Sequence, residues 1–109
     1  MPGYSGIMTT IITPDDCTTM AEVRAGVDAT DRAIGQLLAT RFGYMRAAAR
    51  IKPERGQVRD QSRKAAVIAN AMADARAQGW PEQAAAAVWE ALVEASIAYE
   101  FDRWDERQR

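Results

Sequence analysis

From Met20 onward, apolar side chains recur at Val23, Val27, Ile34, Leu37, Leu38, Met45 and Ala48, the spacing that keeps one face of an α-helix apolar. Thr19 and Glu22, three residues apart, have the spacing of a capping box, and Pro53 and Gly56 stop the pattern. The pattern predicts one long helix ending near residue 50, roughly 45 to 50 Å at 1.5 Å per residue. A second apolar line, Ala65, Ile68, Met72 and Ala75, predicts a helix that begins near Val58 or Asp60, with Asp60 placed to cap it. The stretch "QGWP" ends that helix, with Gly79 as the left-handed residue and Pro81 in the first turn of a third helix. The third runs through "EQAAAAVWEALVEASIAYEFDRW" with Val88, Leu92 and Ser96 on one line and Val93, Ile97, Phe101 and Trp104 on another. Two apolar lines imply packing on both sides.

The predicted fold class is therefore all-α, with three helices, long, medium and long, in a single domain over 16–105. Residues 1–15 lack a helical period and read as an extended arm, with Met8 as an alternative start, and 106–109 read as a charged tail. A compact globule of about 100 residues has a radius of gyration near 13 Å and cannot cover so long an apolar stripe. An intertwined homodimer is expected.

Composition narrows the function. The chain has 109 residues, 48 % of them apolar, with few Gly or Pro, which suits a helical domain. The lone Cys17 has no internal disulfide partner and no leader opens the chain, so a cytoplasmic location is expected, with Cys17 an idle thiol. No apolar run is long enough to span a bilayer, so no membrane partner is expected. Histidine is absent, which removes Ser-His-Asp and Cys-His nucleophile pairs and the commonest metal ligand together. No Asp/Glu loop has calcium spacing, and neither metal nor cofactor is expected.

Charge is unevenly placed. The stretch "RIKPERGQVRDQSRK", 50–64, sets six basic side chains against Glu54 and Asp60 in a chain of net charge −1. A nucleic-acid surface needs net positive charge and aromatic platforms among the cations, whereas Trp80, Trp89, Tyr99, Phe101 and Trp104 lie far along the chain. Other cations point inward. Arg41 lies four residues after Leu37 and four before Met45, on the apolar stripe, so it needs an acidic partner such as Glu100 or Asp60, or a ligand anion. Lys52, eleven residues on, falls on the same face. Arg24 sits on the stripe's edge, where a snorkelling arginine is the plainer reading. Ser96 and Glu100 share a face of the third helix, and Arg63 and Lys64 open the second. The set fits a small, compact anion.

The segments "TPDDCTTMAEVRAGVDATD", "LLATRFGYMRAAARIK", "VRDQSR" and "SIAYE" carry a resemblance to the all-helical chorismate mutase family, including its isochorismate pyruvate-lyase branch, over about 13–104. "TPDDC" looks most like the lyase branch, and "VRDxxR" like the mutases. The resemblance implies an intertwined dimer with two equivalent pockets for a small dicarboxylate. Arg24 would cross into the partner's pocket to hold one carboxylate, and Arg41 would hold the other. It further implies that Lys52 binds a carboxylate or the ether oxygen, that Asp60 and Arg63 close the loop side, and that Ser96 supports a carboxylate. Two positions depart from the mutase pattern. Lys64 stands where mutases usually carry a glutamate that contacts the ring hydroxyl, and Glu100 where many carry glutamine. Glu100 must then be protonated to donate to the ether oxygen, so mutase activity is expected to fall as pH rises, unless Lys64 pairs with Glu100 instead. Conversion of chorismate to prephenate is the implied activity. The alternatives are cleavage of isochorismate to salicylate and pyruvate, mutase action on a modified chorismate, or a non-catalytic helical dimer.

Overall fold

A computed structural model describes residues 10–107. Among them are three α-helices and no strand: α1 (Met20–Ile51), α2 (Gln61–Gln78) and α3 (Glu82–Glu106), with short 3-10 turns at Pro14–Asp16 and Arg55–Gln57. The all-α, three-helix expectation holds. Most of the expected arm (residues 1–9, Met8 included) and residues 108–109 of the tail lie outside the described residues. The chain divides within α1 into two units, Met1–Arg41 and Phe42–Arg109.

In Met1–Arg41, the capping box forms as the spacing predicts. The Glu22 N–H donates to Thr19 Oγ1 at 3.2 Å, and the Thr19 N–H donates back to Glu22 Oε1 at 3.1 Å. The Thr18 N–H donates to the same oxygen at 2.8 Å, and these backbone donors, Thr18 first, hold the Glu22 carboxyl below its usual range. Along this part of α1, Met20, Val27, Ile34 and Leu37 are exposed, Leu37 at 70 %.

In Phe42–Arg109, α2 and α3 pack as a hairpin. Asp60 is the α2 N-cap, and its carboxylate accepts from the Arg63 N–H at 2.9 Å. At the far end Gly79 takes φ 83°, and the Trp80 N–H reaches back to the Ala75 carbonyl at 3.0 Å. This is a Schellman closure, which places a left-handed residue after the last helical turn. Pro81, expected in the first turn of α3, is instead its extended N-cap, at φ −63° and ψ 127°. The hairpin closes on small side chains. Ala71, Ala75 and Ala85 are buried, with Met72 and Trp89 against them, and Val58, Val93 and Ile97 form a second cluster with Val67, Phe101 and Trp104. Ala65, expected on the packed face of α2, is exposed. The buried line follows Val67, Ala71 and Ala75 at four-residue steps, which turns Ala65 outward. Val88, likewise expected to pack, is exposed at 53 %.

Gly79→Ala is expected to cost about 1 to 2 kcal/mol, because nothing crowds the position and only the left-handed backbone is penalised. Urea unfolding checks this, and Gly79→Asn should cost less.

Candidate active site

Lys52 is the first residue beyond α1, and its N–H still bonds to the Ala48 carbonyl at 2.9 Å. Pro53 follows and ends the helical path. The last carbonyls of α1 therefore need donors from elsewhere. They come from the end of α3. Trp104 Nε1 donates to the Lys52 carbonyl at 3.0 Å, while Arg107 Nη1 donates to the same oxygen at 2.6 Å and to the Ala49 carbonyl at 2.7 Å. The Arg107 guanidinium also stacks 4.8 Å from the Trp104 ring centre. Lys52 thus has a fixed backbone.

Its side chain turns toward α3, where Nζ lies 2.7 Å from Glu100 Oε2. Glu100 is 4 % exposed, whereas the Lys52 side chain is 30 % exposed. The approach to Glu100 Oε2 is close, but its angle falls outside hydrogen bonding, so that buried oxygen is paired in charge and accepts no hydrogen bond. An ammonium carries three N–H donors, so Lys52 retains the capacity to bind an incoming anion. Ser96, one turn before Glu100, is buried and donates to the Leu92 carbonyl at 2.7 Å. An open groove of about 640 Å³ begins beside Lys52, and Gln57, Arg59, Asp60 and Gln61 are among its walls.

The loop side is held by an ion-pair network. Lys64 Nζ sits 2.7 Å from Glu90 Oε2 and 2.7 Å from Glu94 Oε2, and Arg59 takes Glu94 in a two-point pair at 2.8 and 3.0 Å. Lys64 therefore pairs with Glu90 and Glu94, and the pairing with Glu100 weighed from the sequence is not formed. The Arg59 and Lys64 donors pull the Glu94 carboxyl from its ordinary 4.5 to about 2, and Glu90, then Glu94, push Lys64 up. Arg63 is exposed at the start of α2. In the other unit, Arg24 is exposed and Arg41 is half-buried and engaged.

Of the residues singled out from the sequence, Lys52 and Asp60 line the groove, and Lys52 pairs with buried Glu100, which lies one turn of α3 beyond Ser96. Trp104 and Arg107 were missed as supports of the site. Trp104 read as an apolar position, although its indole N–H is the group that matters, and Arg107 read as a solvated tail. The signal was the unmet carbonyls at a helix end followed by proline. Among the described residues, no three His, Cys, Asp or Glu side chains gather as metal ligands, and no helix is long and apolar enough to cross a membrane.

Glu94 binds fewer protons folded than unfolded between pH 4.5 and 2, so its contribution to stability is complete above that window and is lost as pH falls through it. Glu94→Gln should lower the melting temperature at neutral pH and flatten its decline over that acid range, as thermal melts at stepped pH would show. An unchanged slope would mean that the network does not persist in solution.

The family model described as "Chorismate mutase type II" matches residues 23–101. Isochorismate pyruvate lyase of Pseudomonas aeruginosa is 38 % identical to this chain over 56 residues, which are 51 % of this chain and 55 % of that protein. The chain thus spans about half the length of the curated relative it matches. The three-helix architecture agrees with the family match over 23–101, and the chain belongs to the chorismate mutase type II family.

Proposed function

We propose that the chain is a chorismate mutase, which rearranges chorismate to prephenate without cofactor. The observation that carries this reading is Lys52, a cation with a clamped backbone and a partly exposed side chain, set beside one buried carboxylate at the edge of a groove. In the rearrangement a C–O bond breaks as a C–C bond forms, and negative charge grows on the ether oxygen. Lys52 supplies a preorganised positive charge there. By family resemblance, Arg41 and the Arg24 of a second copy clamp the two carboxylates and remove unproductive conformers before the barrier. Asp60 and Arg63 bound the loop side, and Ser96, whose buried hydroxyl donates to the Leu92 carbonyl, braces the turn that carries Glu100. Lys64 is already satisfied by Glu90 and Glu94, so its part is to hold the start of α2 against α3. The exposed apolar residues Met20, Val27, Ile34 and Leu37 support a homodimer in which a partner covers this stripe.

Glu100 stands beside Lys52 at the position where, by family resemblance, many members carry glutamine, whose amide donates to the ether oxygen. Its carboxylate competes with the dianionic substrate for Lys52. Glu100→Gln is therefore expected to raise kcat/KM for chorismate at pH 7.5, and a lower value would make the carboxylate itself the working group.

Lys52→Ala should lower kcat/KM by at least about 100-fold through loss of transition-state stabilisation. It also strands the Glu100 charge, so the melting temperature should fall. Lys52→Ala/Glu100→Gln should recover the melting temperature and not the turnover. Recovered turnover would reduce Lys52 to a counter-ion.

Cleavage of isochorismate is the second reading, favoured by the partial relative that bears that activity in its name. There a hydrogen moves to the enolpyruvyl carbon, and pyruvate leaves as salicylate forms. Purified protein offered chorismate and isochorismate in parallel decides the matter. Prephenate supports the mutase, salicylate with pyruvate supports the lyase, and turnover of neither points to a modified substrate or a non-catalytic dimer.

A further inference from the structure

Ten Lys and Arg side chains lie within the described part of Phe42–Arg109, and six of them are salt-bridged to Asp or Glu, including exposed ones such as Arg55 and Arg76. The other four are Arg46, Arg50, Arg63 and Arg107. Arg63 belongs to the loop side of the candidate active site. The remaining three line one cavity of about 710 Å³, together with Arg103, Ala49 and Glu106.

This cavity lies between the last two turns of α1 and the end of α3. Its one acid, Glu106, is taken by Arg103 at 3.2 Å. Arg46 donates to the Tyr99 hydroxyl at 3.1 Å, a neutral partner that orients the guanidinium and leaves its charge uncompensated. Arg107 is fixed through the α1 carbonyls, whose partial negative charge offsets only part of its own. Arg50 is exposed and makes no side-chain hydrogen bond or ion pair with the described residues. Elsewhere among the described residues of this unit, Arg63 excepted, cations are matched by carboxylates, so an excess of guanidiniums around one cavity is a local field that an anion relieves.

We propose that Arg46, Arg50, Arg103 and Arg107 form a second anion-binding site, distinct from the Lys52 groove, for a compact ligand with two or more carboxylate or phosphate groups. Planar forks entering from two helices match several charged groups on one small molecule better than a single carboxylate. The volume suits a small molecule. A nucleic acid is disfavoured because the Trp104 ring beside the cluster is covered by Arg107, and Tyr99 is packed edge-on against Phe42.

The test is calorimetric titration of the full chain with citrate and, separately, with pyrophosphate at low ionic strength. Three further proteins accompany it: Arg46→Gln/Arg50→Gln, Arg50→Gln alone, and Lys52→Ala/Glu100→Gln. Binding of either anion is expected, weaker by at least about tenfold in the double arginine variant, intermediate in Arg50→Gln and unchanged in the Lys52 variant. Citrate alone would mark a polycarboxylate ligand, pyrophosphate alone a phosphorylated one. Arg50 is exposed, so the Arg50→Gln result stands if the double variant fails to fold. The proposal is overturned if neither anion binds in the millimolar range, if acetate binds as well as citrate, or if the Lys52 variant loses binding while the arginine variants keep it. None of these readouts depends on turnover, so the mutase reading stands or falls separately.

Discussion

The carbonyl of Lys52 is the acceptor on which the candidate site depends. An α-helix leaves its last carbonyls without partners, and proline at the next position prevents the chain from supplying them by continuing. Two donors from the end of α3, an indole and a guanidinium, meet that need, and they stack on each other while doing so. The main chain of Lys52 is thereby tied to the same helix that carries Glu100. Backbone clamp and side-chain ion pair tie one residue twice to the end of α3, beside the groove that Lys52 lines.

Charge in this unit is organised by burial. Glu100 is the one nearly inaccessible acid, and a carboxylate so placed is costly without a cation beside it. Lys52 meets that cost and remains partly open. The pairs nearer solvent, Arg59 and Lys64 with Glu94, and Arg55 with Asp105, bind the connecting loop and α2 to α3. Exposed pairs of this kind each contribute little alone. Sharing Glu94 between two cations makes them a network, which fixes where the groove wall stands.

Much of this was legible in the sequence because local rules agreed with tertiary packing. Thr19 with Glu22, Asp60 and Gly79 each announce a helix terminus through their own chemistry, and each stands where that chemistry places it. The Lys52 and Glu100 positions followed from family resemblance. Less legible were features set by the rotation of one helix against another. Ala65 and Val88 fit an apolar period equally well whether they face α1, α2 or solvent, and alanine-rich helices blur which face is packed. Lys64 could not be assigned from one dimension, since choosing Glu90 and Glu94 over Glu100 depends on which turn of α3 lies opposite the start of α2.

The clamp on Lys52 is also a matter of timing. Its donors lie 52 and 55 residues further along the chain. At ribosomal rates of about 5 to 20 residues per second, Trp104 is made roughly 3 to 10 s after Lys52. Throughout that interval α1 can form and end, but its last carbonyls face water and the lysine has neither anchor nor counter-ion. The candidate groove is consequently among the last parts of this unit to acquire its shape during synthesis, assembled by the final turn of α3.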